Sequence, residues 1–447
     1  MIIMARILTP NDYGLVGMLA IFISLSQSLI DCGFSQALIR KKDRSEVDNS
    51  TVFYFNIVTG IVLYLILFIS APLIADFYNE PILTPLTRLI SLSVVINSLI
   101  VVQRALFTIN IDFKAQAKAS LPASIISGII GIVMAYTGFG VWSIVFYQLS
   151  NYLINTLLIW ILSKWRPKLL YSWESFREMF SYGSKMTISG IIDTIYKNIY
   201  LIVIGKIYNA SDLGFYTRAQ QFADFPSSNL TGIIQRVTFP VLCSIQDDTE
   251  RLCVIYRKFL RMTAFVIFPL MIGLAAVAHP FIMLFLNEQW EPAVTLLQIL
   301  CFGMMWYPIH AINLNLLLVQ GRSDLFLRLE IIKKFIGITV LLATIPFGMT
   351  TICWGLVGYS LIALVINTYY TGRIIHIGFF DQLYDLMPTL LYSLSMGVIV
   401  LILVNTMPNY PLQLCVGIVA GVTYYFLIAK LTHSKDLSEL KSFIQKK

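Results

Sequence analysis

Arg6-Ile7-Leu8-Thr9-Pro10-Asn11-Asp12-Tyr13-Gly14-Leu15-Val16 stands at the head of the chain, and much of this passage returns 200 residues later. Arg6-Ile7 is answered by Lys206-Ile207, Asp12-x-Gly14 by Asp212-x-Gly214, and Gly14-Leu15-Val16 by Gly214-Phe215-Tyr216. Further on, Pro72-Leu73-Ile74-Ala75-Asp76-Phe77-Tyr78-Asn79-Glu80 meets Pro280-Phe281-Ile282-Met283-Leu284-Phe285-Leu286-Asn287-Glu288 at an offset of 208. Both matches fall at the ends of apolar stretches. A membrane protein built from two like-oriented halves commonly carries its substrate between them, near the mid-plane of the bilayer. Transport is therefore the first expectation.

Composition sets the class. Hydrophobic residues make up 57% and charged residues 13%, and mean hydropathy is +0.76, whereas a soluble domain carries about 25% charged residues. Apolar runs of roughly the 20 residues needed to cross a bilayer recur throughout. Thirteen spans are expected, at 14–37, 51–71, 84–103, 117–136, 141–163, 184–206, 218–243, 257–278, 292–317, 329–345, 352–372, 389–405 and 412–431. Lipid leaves no backbone group unsatisfied, so these read as helices: an all-α polytopic membrane protein. The cysteines (Cys32, Cys243, Cys253, Cys301, Cys353, Cys415) are scattered without a CxxC and read as small buried hydrophobes rather than metal ligands. No Gly-rich nucleotide loop, HExxH or GxSxG occurs, so neither ATP-driven transport nor hydrolysis is supported, and no cofactor is expected.

Basic residues crowd alternate connections: Arg40, Lys41, Lys42 and Arg44; Arg104, Lys114 and Lys118; Lys164, Arg166, Lys168, Arg177 and Lys185; Arg251, Arg257, Lys258 and Arg261; Arg322, Arg328, Lys333 and Lys334; Arg373; and a tail of Lys430, Lys435, Lys441, Lys446 and Lys447. The opposite connections (72–83, 137–140, 286–291, 346–351, 406–411) hold no Lys or Arg. The positive-inside rule puts the basic connections and the C-terminus in the cytoplasm. The net charge of +8 then reflects topology and contact with anionic membrane lipid, not nucleic-acid binding.

That orientation requires the chain to begin outside, yet only Met1–Leu8 precede the span at 14–37, while a full span precedes Lys206 in the second copy. The first copy is therefore expected to lack most of a helix. The organisation reads as a first lobe at 1–163, a cytoplasmic linker at 164–183, a second lobe at 184–372, and a final helix pair with a tail at 373–447. Within the linker, Ser172–Phe180 reads as a short amphipathic helix at the membrane surface, or as a plain connector.

At this point the chain resembles a known family. Arg6–Gly17, then Asp31-x-Gly33-Phe34-Ser35-Gln36-Ala37-Leu38-Ile39-Arg40-Lys41, looks like the opening of Wzx-type polysaccharide flippases. Arg104–Lys114 is similar to that family's signature after its fourth helix. Ile204-Gly205-Lys206, Leu213-Gly214-Phe215-Tyr216-x-Arg218-Ala219-Gln220 and Phe239-Pro240-x-Leu242-x-x-Ile245-Gln246-Asp247-Asp248 resemble its second-lobe signatures. The likeness runs from Arg6 to about Gly372 and points to the multidrug/oligosaccharidyl-lipid/polysaccharide exporter superfamily, in its lipopolysaccharide or exopolysaccharide branch. It implies a two-lobed carrier in the bacterial inner membrane. Such a carrier moves undecaprenyl-pyrophosphate-linked oligosaccharide to the periplasmic leaflet, and a polysaccharide polymerase is a candidate partner. A cation-coupled multidrug exporter of the same superfamily is the alternative; its lumen should be rich in acids and aromatics, whereas the embedded charges here are mostly basic.

Charge at membrane depth is costly and tends to face a cavity or a partner. Arg88, Lys197, Arg218 and Arg236 lie within or at the ends of spans and are the candidate substrate contacts, because guanidinium and ammonium groups suit phosphate oxygens. Arg88 and Arg218 can equally snorkel to the interface. Asp193 and Lys197, four apart with the acid first, read as a helical pair; Asp193 and Asp224 are the candidates for ion coupling. Gly128-x-x-Gly131 reads as a close helix contact, Pro122, Pro226, Pro269 and Pro308 as kinks, His310 as a buried hydrogen-bonded histidine, and Asp247-Asp248 as a solvated turn.

Overall fold

A computed structural model describes residues 2–31, 33–41 and 43–439, with the backbone alone at 182 and 185. Cys32, Lys42, Lys441, Lys446 and Lys447, and the side chain of Lys185, lie outside the described residues. The described chain is helical: α1 (Ile2–Ile7), α2 (Pro10–Asp31), α3 (Phe34–Arg40), α4 (Glu46–Tyr78), α5 (Leu83–Ile90), α6 (Leu92–Ser98), α7 (Val101–Ile109), α8 (Phe113–Tyr136), α9 (Val141–Leu162), α10 (Trp173–Ile207) and α11 (Ala210–Cys243). After these come α12 (Thr249–Ala276), α13 (Ala278–Phe285), α14 (Pro292–Met304), α15 (Tyr307–Val319), α16 (Ser323–Thr344), α17 (Met349–Ile375), α18 (Phe379–Thr406) and α19 (Tyr410–Leu431). Among the described residues ten helices are long and apolar enough to cross a membrane, or eleven when the bent pair Leu83–Ser98 and Val101–Ile109 counts as one. The two expected spans that fall short, at 218–243 and 329–345, belong to α11 and α16. These carry the embedded charges Arg218, Asp224 and Arg236, and Asp324, Arg328, Glu330, Lys333 and Lys334 respectively.

The chain divides into two compact units, Met1–Thr217 and Arg218–Lys447. In the first, α8 and α9 form an antiparallel hairpin, α4 packs on α5 and α6, and α10 lies along α2. Glycines make that last contact close. A Cβ added at Gly205 would lie 3.1 Å from Met18 Cγ, and one at Gly190 would lie 3.1 Å from Ser28 Oγ, so α2 ascends as α10 descends.

The repeated passage supplies the end of this seam. Pro10 and Ala210 each begin a helix, with Asp12 and Asp212 in the first turns. A Cβ built on Gly14 would fall on the carbonyl oxygen of Ala210, and one on Gly214 would fall on that of Pro10. The two copies thus cross backbone to backbone and reciprocally, as residues do across a two-fold axis. Only glycine permits such an approach. The Gly128-x-x-Gly131 expectation divides: Gly131 packs against Met4 and Tyr147, while Gly128 faces open space.

Caps fix the ends. Ser45 and Asp48 form a capping box on α4, Asp48 N donating to Ser45 Oγ at 3.2 Å and Ser45 N to Asp48 Oδ2 at 2.8 Å; such a cap contributes about 1 kcal/mol. Asp248, read above as a solvated turn residue, caps α12 by accepting from Arg251 N at 3.0 Å. Ser172 caps α10, accepting from Ser175 N at 3.3 Å. The expected surface helix at 172–180 is therefore no separate element: no breaker follows Phe180, and the helix runs on to Ile207. Trp173 and Phe180 stay exposed, and Phe176 is half-buried. Phe176 stacks on Trp173 and Phe180 at 5.1 and 5.4 Å between ring centroids, and packs at 5.0 Å on Phe55.

The strand of linker before it is sewn to the start of α4. Lys168 N donates to Ser50 Oγ (3.2 Å), Ser172 N to Thr51 Oγ1 (3.0 Å) and Trp165 Nε1 to Glu46 Oε2 (3.1 Å). Lys41 Nζ lies 2.9 Å from Glu178 Oε2 and 3.1 Å from Asp48 Oδ1. The bond to Glu178 and the further one to Asp48 raise the Lys41 ammonium above the ordinary lysine range.

In the second unit α12 packs along α18, α18 along α19, and α17 against α14 and α16. A fully buried polar cluster ties four helices: Tyr256 Oη donates to Asn313 Oδ1 (2.9 Å), and Gln382 Nε2 to Asn313 Oδ1 (3.0 Å) and Thr371 Oγ1 (3.1 Å). Arg257 grips Asp385 with two bonds of 2.6 Å, Arg261 lies 3.2 Å from Asp436, and Lys258 lies 3.1 Å from Glu439. Three cations at the start of span 257–278, Arg257, Lys258 and Arg261, are thus paired. His310 is hydrogen-bonded as expected, with Ser360 Oγ at 3.2 Å and Asn367 Nδ2 at 3.3 Å. Of the cysteines, Cys301 and Cys353 are buried, Cys243 and Cys253 half-buried, and Cys415 exposed.

Candidate functional site

The first unit holds a half-open cavity of about 610 Å³ lined by both polar and apolar groups, within the roughly 300–1,000 Å³ typical of small-molecule sites. Helix α2 contributes Gln27, Ser28 and Asp31, α3 Ser35 and Gln36, α6 Asn97, α7 Val101 and Arg104, and α10 Met186, Thr187, Ser189, Gly190 and Asp193.

A broken span forms one wall. The sequence run 84–103 reads as a single helix, but the structure interrupts it at Ser91 and again at Leu99–Ile100, with a bend of 42° between the long pieces. A break at membrane depth frees carbonyls, which the protein itself must satisfy. Here α9 does so: Trp160 Nε1 donates to Leu99 O at 3.0 Å and Thr156 Oγ1 to Ile96 O at 3.4 Å. Asn97 and Arg104 flank the break, and Arg104 donates to Asn97 Oδ1 at 3.2 Å. The opposite wall depends on glycine. Gly33 takes φ +65° between α2 and α3, a conformation open to glycine at little cost, and a Cβ there would meet Gly183 O at 2.7 Å. Asp31 Oδ1 accepts from Ser35 N at 3.2 Å across this turn, and Gln27 donates to Tyr152 Oη at 2.8 Å.

Among the described residues the lining carries the carboxylates of Asp31 and Asp193 and the guanidinium of Arg104.

Of the residues singled out from sequence, Asp193 lines this cavity. Lys197, one turn further along α10, is exposed and is not among the lining residues. Arg88 is half-buried on α5 with its guanidinium 4.6 Å above the Phe68 ring, and its Nε has no hydrogen-bond partner among the described residues. In the second unit, Arg218 is buried on α11 and donates to Gln221 Oε1 at 2.6 Å, Asp224 is half-buried, and Arg236 is exposed. None of the four expected cations lines the cavity of the first unit.

The sequence reading passed over Asp31 and Arg104. Asp31 lies inside the expected span 14–37, so the rule that selected Lys197 selects it equally. Arg104 belongs to a basic group expected in the cytoplasm, and it lies just after the break at Leu99–Ile100, in the cavity wall.

Comparison with known proteins agrees with this architecture. Residues 3–295 match the family model described as polysaccharide biosynthesis protein. The teichuronic acid biosynthesis protein TuaB of Bacillus subtilis (strain 168) is 27% identical over 420 residues, covering 91% of this chain and 86% of that protein. The lipopolysaccharide biosynthesis protein WzxC of Escherichia coli (strain K12) is 28% identical over 417 residues, covering 89% and 83%. Among solved structures, the lipid II flippase MurJ in an inward closed conformation superposes with a TM-score of 0.80 at 14% identity, over 97% of this chain and 95% of that one. An inward-facing MATE multidrug transporter of the MOP superfamily gives 0.67 over 84% and 92%. These two likenesses establish the shared polytopic helical fold. With a family model matched over most of its length, this multi-pass membrane protein belongs to the polysaccharide biosynthesis protein family.

Proposed function

We propose that the protein is a flippase that carries undecaprenyl-pyrophosphate-linked oligosaccharide from the cytoplasmic to the periplasmic leaflet of the bacterial inner membrane, by alternating access, in the making of a surface polysaccharide. The carrying observation is near full-length similarity to two surface-polysaccharide biosynthesis proteins, joined to a half-open cavity walled by a broken transmembrane helix. Broken helices at membrane depth line substrate paths in transporters.

In this reading the protein is a carrier, not an enzyme, and its C-terminus is cytoplasmic. The diphosphate is met by cations, for which Arg88, Lys197, Arg218 and Arg236 are the candidates; Asp193 and Asp224 are the candidates for coupling to an ion gradient. A polysaccharide polymerase is the partner that would take up the translocated product. The multidrug-exporter alternative has the weaker support, since the relatives at 27% and 28% identity are named for polysaccharides.

The test is complementation. Expressed in a bacterium lacking its own oligosaccharide flippase, the chain should restore surface polysaccharide. Restored resistance to cationic dyes in a drug-sensitive strain, without surface polysaccharide, would favour the exporter instead.

A further inference from the structure

We infer that the linker 164–172 and the first turns of α10 form a docking surface for the headgroups of anionic phospholipid at the membrane boundary. Such a surface seats the protein in its bilayer and is independent of the cargo. An exposed apolar residue is ordinary taken singly, but a contiguous run of them calls for a partner. Here Leu169 is 94% exposed, Trp173 65% and Tyr171 55%, with Leu170 and Phe180 exposed beside them. The main chain that carries them is fastened down. Lys168 N and Ser172 N donate to Ser50 Oγ and Thr51 Oγ1 on α4, and the Trp165 ring lies 5.8 Å from that of Phe53.

Contacts along α4 set the depth of this ridge. Phe53 meets Trp160 at 5.9 Å between ring centroids, and Trp160 stands two residues before the end of α9, a helix long and apolar enough to cross a membrane. Thr51 holds Ser172, and Phe55 packs on Phe176. From Thr51 to Phe55 is about 6 Å of helix, so Trp173 stands level with the end of the α9 span. Tryptophan and tyrosine at that level sit as interfacial rings do, at the depth of the headgroups.

Charge selects the lipid. Lys164, Lys168 and Arg177 are exposed along the same stretch. Arg166 folds back, its guanidinium 5.5 Å from the Trp160 ring centroid and donating to Ser163 O at 2.6 Å. Of the two carboxylates in 164–180, Glu178 lies 2.9 Å from Lys41 Nζ, which leaves Glu174. An apolar ridge flanked by cations is the pattern of segments that lie in an interface and attract anionic lipid. A zwitterionic headgroup brings no net charge to these cations, and a phosphate free in water gains nothing from the ridge.

The experiment uses the full chain with its native cysteines replaced by serine and a fluorophore on Leu169→Cys, in nanodiscs of phosphatidylcholine alone or mixed with phosphatidylglycerol. Doxyl-labelled lipid should quench this label, and acrylamide in the bath should quench it far less than the free cysteine adduct of the fluorophore. Brominated versions of the two lipids then read the preference of the site. Phosphatidylglycerol should be preferred, and the preference should fall roughly fivefold for each cation removed in Lys168→Gln and Arg177→Gln. Both side chains are exposed, so these variants should melt with the parent, and the quenching of the parent stands without them. Inorganic phosphate should leave the lipid quenching unchanged. Acrylamide quenching equal to that of the free adduct, as on a surface kept for a soluble protein partner, overturns the inference. Equal preference for the two lipids, or loss of lipid quenching on adding inorganic phosphate, overturns it as well.

Discussion

Substituting Gly14 by alanine tests the reciprocal crossing of the repeated passage. The added methyl would coincide with the carbonyl oxygen of Ala210, which is backbone and has no rotamer to escape into. Overpacking a tight site costs about 1–3 kcal/mol, and an obstacle that cannot swing aside places this one near 3. Alanine recovers about 1 kcal/mol over glycine inside a helix, and Gly14 lies within α2, so the net loss is about 2 kcal/mol. At 1.4 kcal/mol per decade that is roughly a thirtyfold shift toward the opened or unfolded unit, and a melting temperature lower by about 4–8 °C for a unit of this size. Gly128→Ala is the matched control: it lies within α8 and its Cβ would meet nothing within 4 Å. That variant should melt at or slightly above the parent. The assay is tryptophan-fluorescence melting of both variants in one detergent. Because Gly14 and Gly214 meet the same crossing, the double alanine variant should cost less than the two single losses added together. Equal melting of Gly14→Ala and Gly128→Ala would refute the crossing.

Further outcomes follow from the ion pairs and the topology. Asp385→Ala leaves Arg257 without its two bonds and should cost about 2 kcal/mol, read as a lower melting temperature, whereas Arg322→Ala, removing an exposed pair with Asp324, should change little. Lys41 is held above the ordinary lysine range by Glu178 and Asp48. Its contribution is complete below the unfolded value of about 10.4 and fades as pH climbs through the raised one; the stability gap between parent and Lys41→Met should therefore narrow above about pH 10.5. Cysteines at Thr137 and Tyr410 should react with an impermeant thiol reagent from outside intact cells, and ones at Asp43 and Ser438 should not; the reverse pattern would invert the topology.

Much of the fold was legible because lipid removes alternatives: an apolar run of span length has to be a helix, and most of the thirteen expected runs appear as such. Asp12-x-Gly14 and Asp212-x-Gly214 each lie in the first turns of a helix, as their likeness in sequence leads one to expect. What escaped was decided by partners distant in sequence. The run 84–103 has no glycine, and its only proline is at position 85, near the start, so nothing local announces the break. Trp160 and Thr156, far along the chain, make it tolerable, and only the residues Ser91, Ser93, Asn97 and Ser98 hint at it. The contacts of Phe176 with Phe34 and Phe55 escaped as well, because those partners lie more than a hundred residues away. The cavity's polar wall escaped for a related reason. Embedded cations stand out in a sequence because charge in lipid is rare, while the lining is mainly amide, hydroxyl and carboxylate, types that are unremarkable singly and informative only once brought together.

The central claim is that this chain moves lipid-linked oligosaccharide between leaflets, and reconstitution tests it most directly. Proteoliposomes holding the purified chain and a fluorescent undecaprenyl-pyrophosphate oligosaccharide are treated from outside with an enzyme that releases the exposed sugar. With the flippase active, nearly all of the label should become releasable, against about half in protein-free vesicles, and Asp31→Asn with Asp193→Asn should return the fraction toward half. Release that stays at the protein-free level, with the chain folded and inserted, would contradict the account.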